Sequence, residues 1–274
     1  MNKWIYNECL HYASKISGAA APNKFSIYMR QSILRKFEMP YIEFFITTKC
    51  NLRCKNCSNL IPSLESPSSV AFEDFTNTLN SLLAKTDRLY RLKLHGGEVF
   101  LHPQLSEIID FADKQPKIKS IRLTTNGTII PRQTVLDAIK NSKAVVQISD
   151  YNLSNTKAAE FINVLKANNI PFAYLKSQVW KDMGDFAKRT TNRFHQCAMR
   201  RCTSILDGKV YVCSRAAIMT KLGIISDCGI PLTRNKTEFQ NSIIDLYSNE
   251  NIACLYCDGD SNFAQQIIAG EQLK

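Results

Sequence analysis

Between residues 41 and 176 runs suited to strands alternate with stretches of helical period, and this alternation constrains the fold more than any other feature of the chain. Runs of β-branched and aromatic residues predict strands over 41–47, 90–95, 119–125, 144–149 and 171–176. Apolar residues spaced three and four apart predict helices over 72–85, 104–114, 132–141 and 155–168. A strand–helix–strand series of this kind folds with parallel neighbours and right-handed crossovers. Five or six such units before residue 185 imply an α/β fold, a partial (β/α)6 TIM-like barrel. Barrels of that type carry their chemistry on loops at the C-terminal ends of the strands.

The loop after the first strand reads Cys50-Asn51-Leu52-Arg53-Cys54-Lys55-Asn56-Cys57, a C-x3-C-x2-C spacing. Three thiolates are one short of the four that normally hold a [4Fe–4S] cube. One iron is then left open to a small molecule, as a catalytic zinc keeps one position open. A structural zinc loop is the competing reading, but such sites favour C-x2-C pairs with two further ligands, and no His follows closely. The second strand ends in Leu94-His95-Gly96-Gly97-Glu98. Glycines let a backbone approach a ligand, and a carboxylate accepts hydrogen bonds from an ammonium group. The third strand closes on Thr124-Thr125-Asn126-Gly127 and the fourth on Gln147-Ile148-Ser149-Asp150-Tyr151, short polar residues that serve equally well as helix caps.

Together these strand ends resemble the radical S-adenosylmethionine (radical SAM) superfamily, over about residues 42–257. The resemblance implies that Cys50, Cys54 and Cys57 ligate a [4Fe–4S] cluster whose open iron chelates S-adenosylmethionine. Gly96, Gly97 and Glu98 would meet the methionine amino group, and Asn126, Ser149 and Asp150 would lie beside the ribose and carboxylate. The implied chemistry is reductive cleavage of the sulfonium, giving a 5′-deoxyadenosyl radical that takes hydrogen from a substrate. Two positions depart from the family pattern. Asn56 stands where an aromatic residue usually packs on adenine, and Val99 replaces the proline that usually follows the glutamate.

Beyond residue 193 the character changes: six cysteines fall between 193 and 257, with few apolar periods and a hairpin signal at Asp207-Gly208. A thiol-rich stretch with little core needs a metal staple. Cys197, Cys213, Cys254 and Cys257 resemble the ligands of a twitch domain, the shortened SPASM extension, implying a second, auxiliary [4Fe–4S] cluster. Cys202 rivals Cys197, and a four-cysteine zinc site is the competing reading of the set. The expected division is a helical segment over 1–38, a radical SAM core over 39–188, a twitch domain over 189–258 and a helix or tail over 259–274. Cys9 reads as a small buried hydrophobe and Cys228 as a loop thiol, or as a hydrogen-atom donor to a substrate radical.

Composition narrows the partners. The 274 residues carry 35 Lys and Arg against 24 Asp and Glu, a formal charge of +11. The cations are scattered, and Lys188-Arg189 and Arg200-Arg201 are too short for a nucleic-acid arm, so no nucleic-acid partner is expected. An anionic or sugar-linked small-molecule substrate and an acidic electron donor such as flavodoxin or ferredoxin fit the excess. Residues 1–10 lack a signal-peptide run and no stretch of about 18 apolar residues occurs, which implies a cytoplasmic protein with no membrane partner. Ten cysteines in a reducing compartment read as metal ligands or thiols.

In size and layout the chain is similar to the aminocyclitol dehydrogenase type of this superfamily. That resemblance implies dehydrogenation or epimerisation of a small polar, carbohydrate-like substrate, with the auxiliary cluster as electron acceptor. A ribosomal-peptide maturase forming thioether or carbon–carbon crosslinks is the alternative, and a non-catalytic iron–sulfur or zinc protein is the second. Arg122, Tyr174, Lys176 and Trp180 are the candidate substrate binders.

Overall fold

A computed structural model describes residues 36–200 and 202–273. The helices expected before residue 36, and Cys9 with them, lie outside the described residues. The strands are β1 (Glu38–Met39), β2 (Ile42–Thr47), β3 (Arg88–Gly96), β4 (Ile118–Thr125), β5 (Ala144–Asp150), β6 (Phe172–Lys176), β7 (Val179–Lys181), β8 (Ser204–Leu206), β9 (Lys209–Tyr211), β10 (Ile230–Pro231) and β11 (Gln266–Ile268). The helices are α1 (Phe72–Lys85), α2 (Leu105–Asp113), α3 (Gln133–Lys140), α4 (Ala158–Ala167), α5 (Ser214–Lys221) and α6 (Lys236–Ser248). All five strands and four helices expected before residue 177 are present, within three residues at each end.

One sheet runs in the order β10-β9-β8-β2-β3-β4-β5-β6, with β1 also paired to β3. From β8 to β6 every pairing is parallel, the architecture of a partial TIM-like barrel. Five of these six strands come from the strand–helix series. The sixth, β8, arrives from the cysteine-rich segment and pairs with β2 at Glu43↔Ser204 and Phe44↔Ile205. The hairpin at Asp207-Gly208 therefore extends the main sheet: β8 and β9 pair antiparallel, with both turn residues at positive φ.

The helix side of the sheet holds the core. α1 buries Phe75, Leu79, Leu82 and Leu83, one stripe of a 3.6-residue period, and carries Glu73 and Asp74 in its first turn and Lys85 in its last, as the helix dipole favours. Phe75 meets Phe44 of β2 at 4.8 Å between ring centroids and Phe111 of α2 at 6.3 Å.

Two expectations fail in the last third of the chain. The stretch from 193 to 257 is not poor in core: α5 buries Ala216–Met219 and α6 buries Phe239, Ile243, Leu246 and Tyr247. In both helices the apolar stripe is interrupted by polar residues, so their period is weak. No helix forms over the described residues 259–273. Instead β11 pairs antiparallel with β7, Ile267 opposite Trp180, because the β-branched pair Ile267-Ile268 suits a strand and Gly270, at φ 71, turns the chain out of it. No helix among the described residues is long and apolar enough to cross a membrane.

Phe75→Ala should cost about 3–5 kcal/mol of stability, since an aromatic ring is removed from a site with no solvent exposure. Urea unfolding monitored by circular dichroism measures it.

Candidate functional site

Side chains alternate across a strand, and in β2 to β5 the two faces differ in kind. One set, Phe44, Leu92, Leu94, Leu123, Val146 and Ile148, is apolar and buried. The opposite set is polar: Glu43 from β2, Arg91, Lys93 and His95 from β3, Arg122 and Thr124 from β4, and Gln147 and Ser149 from β5. These side chains border one cavity of about 280 Å³. Barrel interiors are usually filled by branched apolar residues. A lumen lined this way suits a polar ligand.

Glu43 organises the charge. Its carboxylate accepts hydrogen bonds from Tyr41 Oη at 2.5 Å, Lys93 Nζ at 2.9 Å and Ser204 Oγ at 3.1 Å, and lies 3.3 Å from His95 Nε2. Burial works to raise its pKa, but Lys93, His95 and these hydrogen bonds outweigh burial and hold it below the ordinary carboxylate range. His95 is pushed down to about 3, by burial first and against the pull of Glu43, so at neutral pH it is uncharged. Arg122 is pushed down to about 10 by burial and by the like charge of Arg91, and it donates to Gln147 Oε1 at 3.1 Å.

At the C-terminal end of the strands the cysteine loop closes the cavity. Cys50, Cys54 and Cys57 all border it, together with Gly96, Gly97, Asn126, Ser149, Tyr151 and Trp180. The glycine pair has a role that ligand contact alone does not explain. A Cβ on Gly96 would stand 1.7 Å from the Thr47 carbonyl oxygen, and one on Gly97 would stand 2.1 Å from that of Lys49. Both positions lack a side chain so that β3 can dock on the cysteine loop, where Gly97 N donates to Thr47 O at 3.0 Å and Glu98 N to Lys49 O at 2.8 Å. From β4, Asn126 Nδ2 donates to Asn51 Oδ1 at 3.1 Å, Asn51 Nδ2 donates to Thr128 Oγ1 at 2.7 Å, and Thr128 Oγ1 donates back to Asn126 Oδ1 at 2.6 Å. This ring of amides pins the loop beside Cys50. Asn51 and Thr128 were not expected; Asn51 stands next to the first cysteine, while Thr128 carries no signal of its own.

Two expected ligand contacts point elsewhere. The Glu98 carboxylate is fully buried and accepts from Asn126 N at 2.8 Å and Phe100 N at 3.2 Å, so its side chain braces β4 and does not border the cavity. Burial pushes it up to about 7 against those hydrogen bonds. Asp150 accepts from Asn152 N at 2.9 Å, Thr156 Oγ1 at 3.2 Å and Tyr174 Oη at 2.8 Å, which makes it the cap of the following turn. Of the candidate substrate binders, Arg122 and Trp180 border the cavity, whereas Tyr174 bonds Asp150 and Lys176 is exposed. Trp180 stacks edge-on against Tyr151, with ring centroids 4.8 Å apart.

Cys197, Cys213, Cys254 and Cys257 border a second, smaller cavity of about 30 Å³ with Met199, Arg215 and Gly259. Cys202 borders the large cavity instead, which separates it from that set, and Cys228 borders neither, its Sγ lying 3.7 Å from Thr220 Oγ1. Met199 lines both cavities and is their shared wall. Burial pushes the thiols of Cys50 and Cys254 up to about 12 and raises those of Cys54, Cys57, Cys197, Cys213 and Cys257. Metal binding at either site must therefore displace protons. The nearby guanidinium of Arg215 opposes the rise at both Cys57 and Cys257, so one cation acts on both thiol sets.

Among the described residues no three Cys, His, Asp or Glu side chains converge as a single ion requires. A tetrahedral zinc draws its thiolates to about 2.3 Å, whereas a cube spreads them over separate irons. Cys50, Cys54 and Cys57 at the larger cavity and Cys197, Cys213, Cys254 and Cys257 at the smaller supply the thiols that an iron–sulfur cluster takes as ligands.

A profile of the Radical SAM superfamily matches residues 44–168. The antilisterial bacteriocin subtilosin biosynthesis protein AlbA of Bacillus subtilis (strain 168) is 34% identical over 117 residues, 42% of this chain and 25% of that protein. The GTP 3′,8-cyclase of Chlorobaculum tepidum is 33% identical over 99 residues, 36% of this chain and 28% of the cyclase. The chain thus spans little more than a quarter of the length of these relatives. The crystal structure of BtrN in complex with AdoMet and 2-DOIA superposes with a TM-score of 0.52 at 15% identity, covering 81% of this chain and 88% of that one. Its likeness is one of fold.

Two buried groups, His95 and Glu98, give a pH signature. His95 is uncharged in the fold down to about pH 3 but takes up a proton in the unfolded chain below its ordinary 6.5, so acid favours unfolding across that window. Glu98, raised to about 7, contributes with the opposite sign, its share being lost as pH rises from 4.5 through 7. Urea midpoints measured from pH 4 to 7 for wild type and His95→Gln should differ in slope, with the variant losing less stability toward acid.

Proposed function

Because this chain belongs to the radical SAM superfamily, whose members use a [4Fe–4S] cluster and S-adenosylmethionine, we propose that Cys50, Cys54 and Cys57 hold that cluster and that the lumen above β2–β5 receives a small anionic, carbohydrate-like metabolite for dehydrogenation or epimerisation. The observation that carries this reading is the lumen itself, a cavity of about 280 Å³ bordered by Arg91, Lys93 and Arg122 with Gln147 and Ser149 beside them. Its volume suits a small molecule. Guanidinium groups from neighbouring strands suit a carboxylate or phosphate, which Arg grips through two parallel hydrogen bonds.

When bound, the cluster and S-adenosylmethionine supply a carbon radical that removes a hydrogen atom from the substrate. The chain's own residues do the rest. Asn126, Asn51 and Thr128 hold the cysteine loop, while Tyr151 and Trp180 wall the loop end of the cavity. Arg122, fixed by Gln147, would orient the anionic group of the substrate. Cys197, Cys213, Cys254 and Cys257 would hold an auxiliary [4Fe–4S] cluster, and the Met199 wall shared by the two cavities supports a role for it as acceptor of the second electron of a dehydrogenation. An acidic flavodoxin or ferredoxin would dock on a chain of charge +11 as electron donor. Peptide modification is the second reading, favoured by the 34% identity to a bacteriocin biosynthesis protein.

Cys54→Ala should abolish release of 5′-deoxyadenosine from S-adenosylmethionine by the reduced protein; wild-type turnover by that variant would refute the loop assignment. Cys257→Ala should lose about half the iron while keeping S-adenosylmethionine cleavage, since two four-iron clusters become one; iron analysis decides it. In a panel of phosphorylated sugars, neutral sugars and short peptides, the phosphorylated compounds should accelerate 5′-deoxyadenosine release. Acceleration by peptides alone would select the second reading. Arg122→Gln should then raise KM for the active compound about 10- to 100-fold, the worth of a hydrogen bond to a charged group.

A further inference from the structure

The segment Gly270–Leu273 lies along the cysteine loop although more than two hundred residues separate them. Cys54 and Gln272 form an antiparallel bridge, Lys55 N donates to Glu271 O at 2.7 Å, and Leu273 N donates to Arg53 O at 2.7 Å. Lys55 and Glu271 add an exposed ion pair at 3.6 Å. Within this bridge the Gln272 side chain, though exposed to solvent, is turned toward the cysteine loop. Its Oε1 accepts from Arg53 N at 2.8 Å, and its Nε2 donates to Gly270 O at 2.6 Å and to Cys54 Sγ at 3.3 Å. The two ends of an amide are told apart only by their partners. Here a backbone N–H can only donate and a backbone carbonyl only accept, so it is the N–H end that faces the sulfur.

We propose that Gln272 is a positioning residue that sets the reduction potential of the cluster on Cys50, Cys54 and Cys57, by hydrogen-bonding the Cys54 sulfur. An N–H directed at a cluster thiolate draws off negative charge and makes reduction easier, one of the levers by which proteins tune such clusters. Of the other donors aimed at this loop's sulfurs among the described residues, Leu52 N, 3.4 Å from Cys50 Sγ, and the amides of Asn59, Leu60 and Ile61 at Cys57 are backbone, and Asn126 Nδ2 lies 4.0 Å from Cys50 Sγ. The inference rests on Cys54 being a cluster ligand, as proposed above.

The test is a redox titration of the anaerobically reconstituted full chain, followed by electron paramagnetic resonance. The signal that changes on adding S-adenosylmethionine identifies the open cluster and separates it from the auxiliary one. Gln272→Glu keeps an acceptor for Arg53 N but replaces the donor with a charged oxygen. Glu271→Ala removes the Lys55 ion pair from the same segment without touching the sulfur. Gln272→Glu should lower the equilibrium constant for one-electron reduction at least tenfold, a shift of about 59 mV to more negative potential, and Glu271→Ala should leave it within about twofold. Gln272→Met, which drops the donor without adding charge, serves if the glutamate variant fails to load iron, and its shift should have the same sign. An unchanged potential in the Gln272 variants, or an equal shift in Glu271→Ala, overturns the inference. If wild-type protein shows no signal sensitive to S-adenosylmethionine, the ligand reading falls, and the inference with it.

Discussion

Glu43 is the group around which the lumen is built. Three cationic side chains, Arg91, Lys93 and Arg122, come from two adjacent strands into one desolvated space, with Lys93 and Arg122 directly paired in register. Burying like charges together is strongly unfavourable without compensation. Glu43 supplies one negative charge and ties three strands while doing so, since its partners are Tyr41 just before β2, Lys93 and His95 on β3 and Ser204 on β8. The β8–β2 pairing, which brings the cysteine-rich segment onto the sheet, thus meets the lumen's charge network at the same residue.

A second constraint acts at the mouth. Gly96 and Gly97 let two backbones touch, so the loop carrying Cys50, Cys54 and Cys57 is seated on β3 and not merely near it. The buried carboxylate of Glu98 then reaches across to the first residue after β4, and Asn126 reaches back to Asn51. Three strand ends are locked to one another before any ligand enters, which is the preorganisation that a reactive radical site requires to exclude water.

Much of this was legible in the residues. The alternation of strand and helix runs located β2 to β6 and α1 to α4, and the thiol spacing located both cysteine sets, because these signals are local. Glu98 and Asp150, expected as ligand contacts, bond backbone and turn groups in the fold, and the residues alone do not tell these apart because an acidic residue at a strand end looks the same whether it faces a cavity or braces a neighbouring strand. The polar lumen was written in period two, as Arg91-Leu92-Lys93-Leu94-His95 and Gln147-Ile148-Ser149. In a parallel sheet both faces are usually covered and apolar, so that pattern in itself marks a strand with one face turned to a ligand. α5, α6 and β11 escaped notice because tertiary packing, and not local period, decides them. Gln272 had no signal at all, since its partners lie 218 and 219 residues away in the chain.

That separation orders events during synthesis. At about 5–20 residues per second, Cys50, Cys54 and Cys57 leave the ribosome roughly ten to forty seconds before Gln272 is made. Throughout that interval the nascent chain displays three thiols without the segment that will bridge to Cys54. Delivery of iron and sulfide to an early intermediate and to the finished fold are then different reactions, the first meeting an open loop and the second one already strapped down.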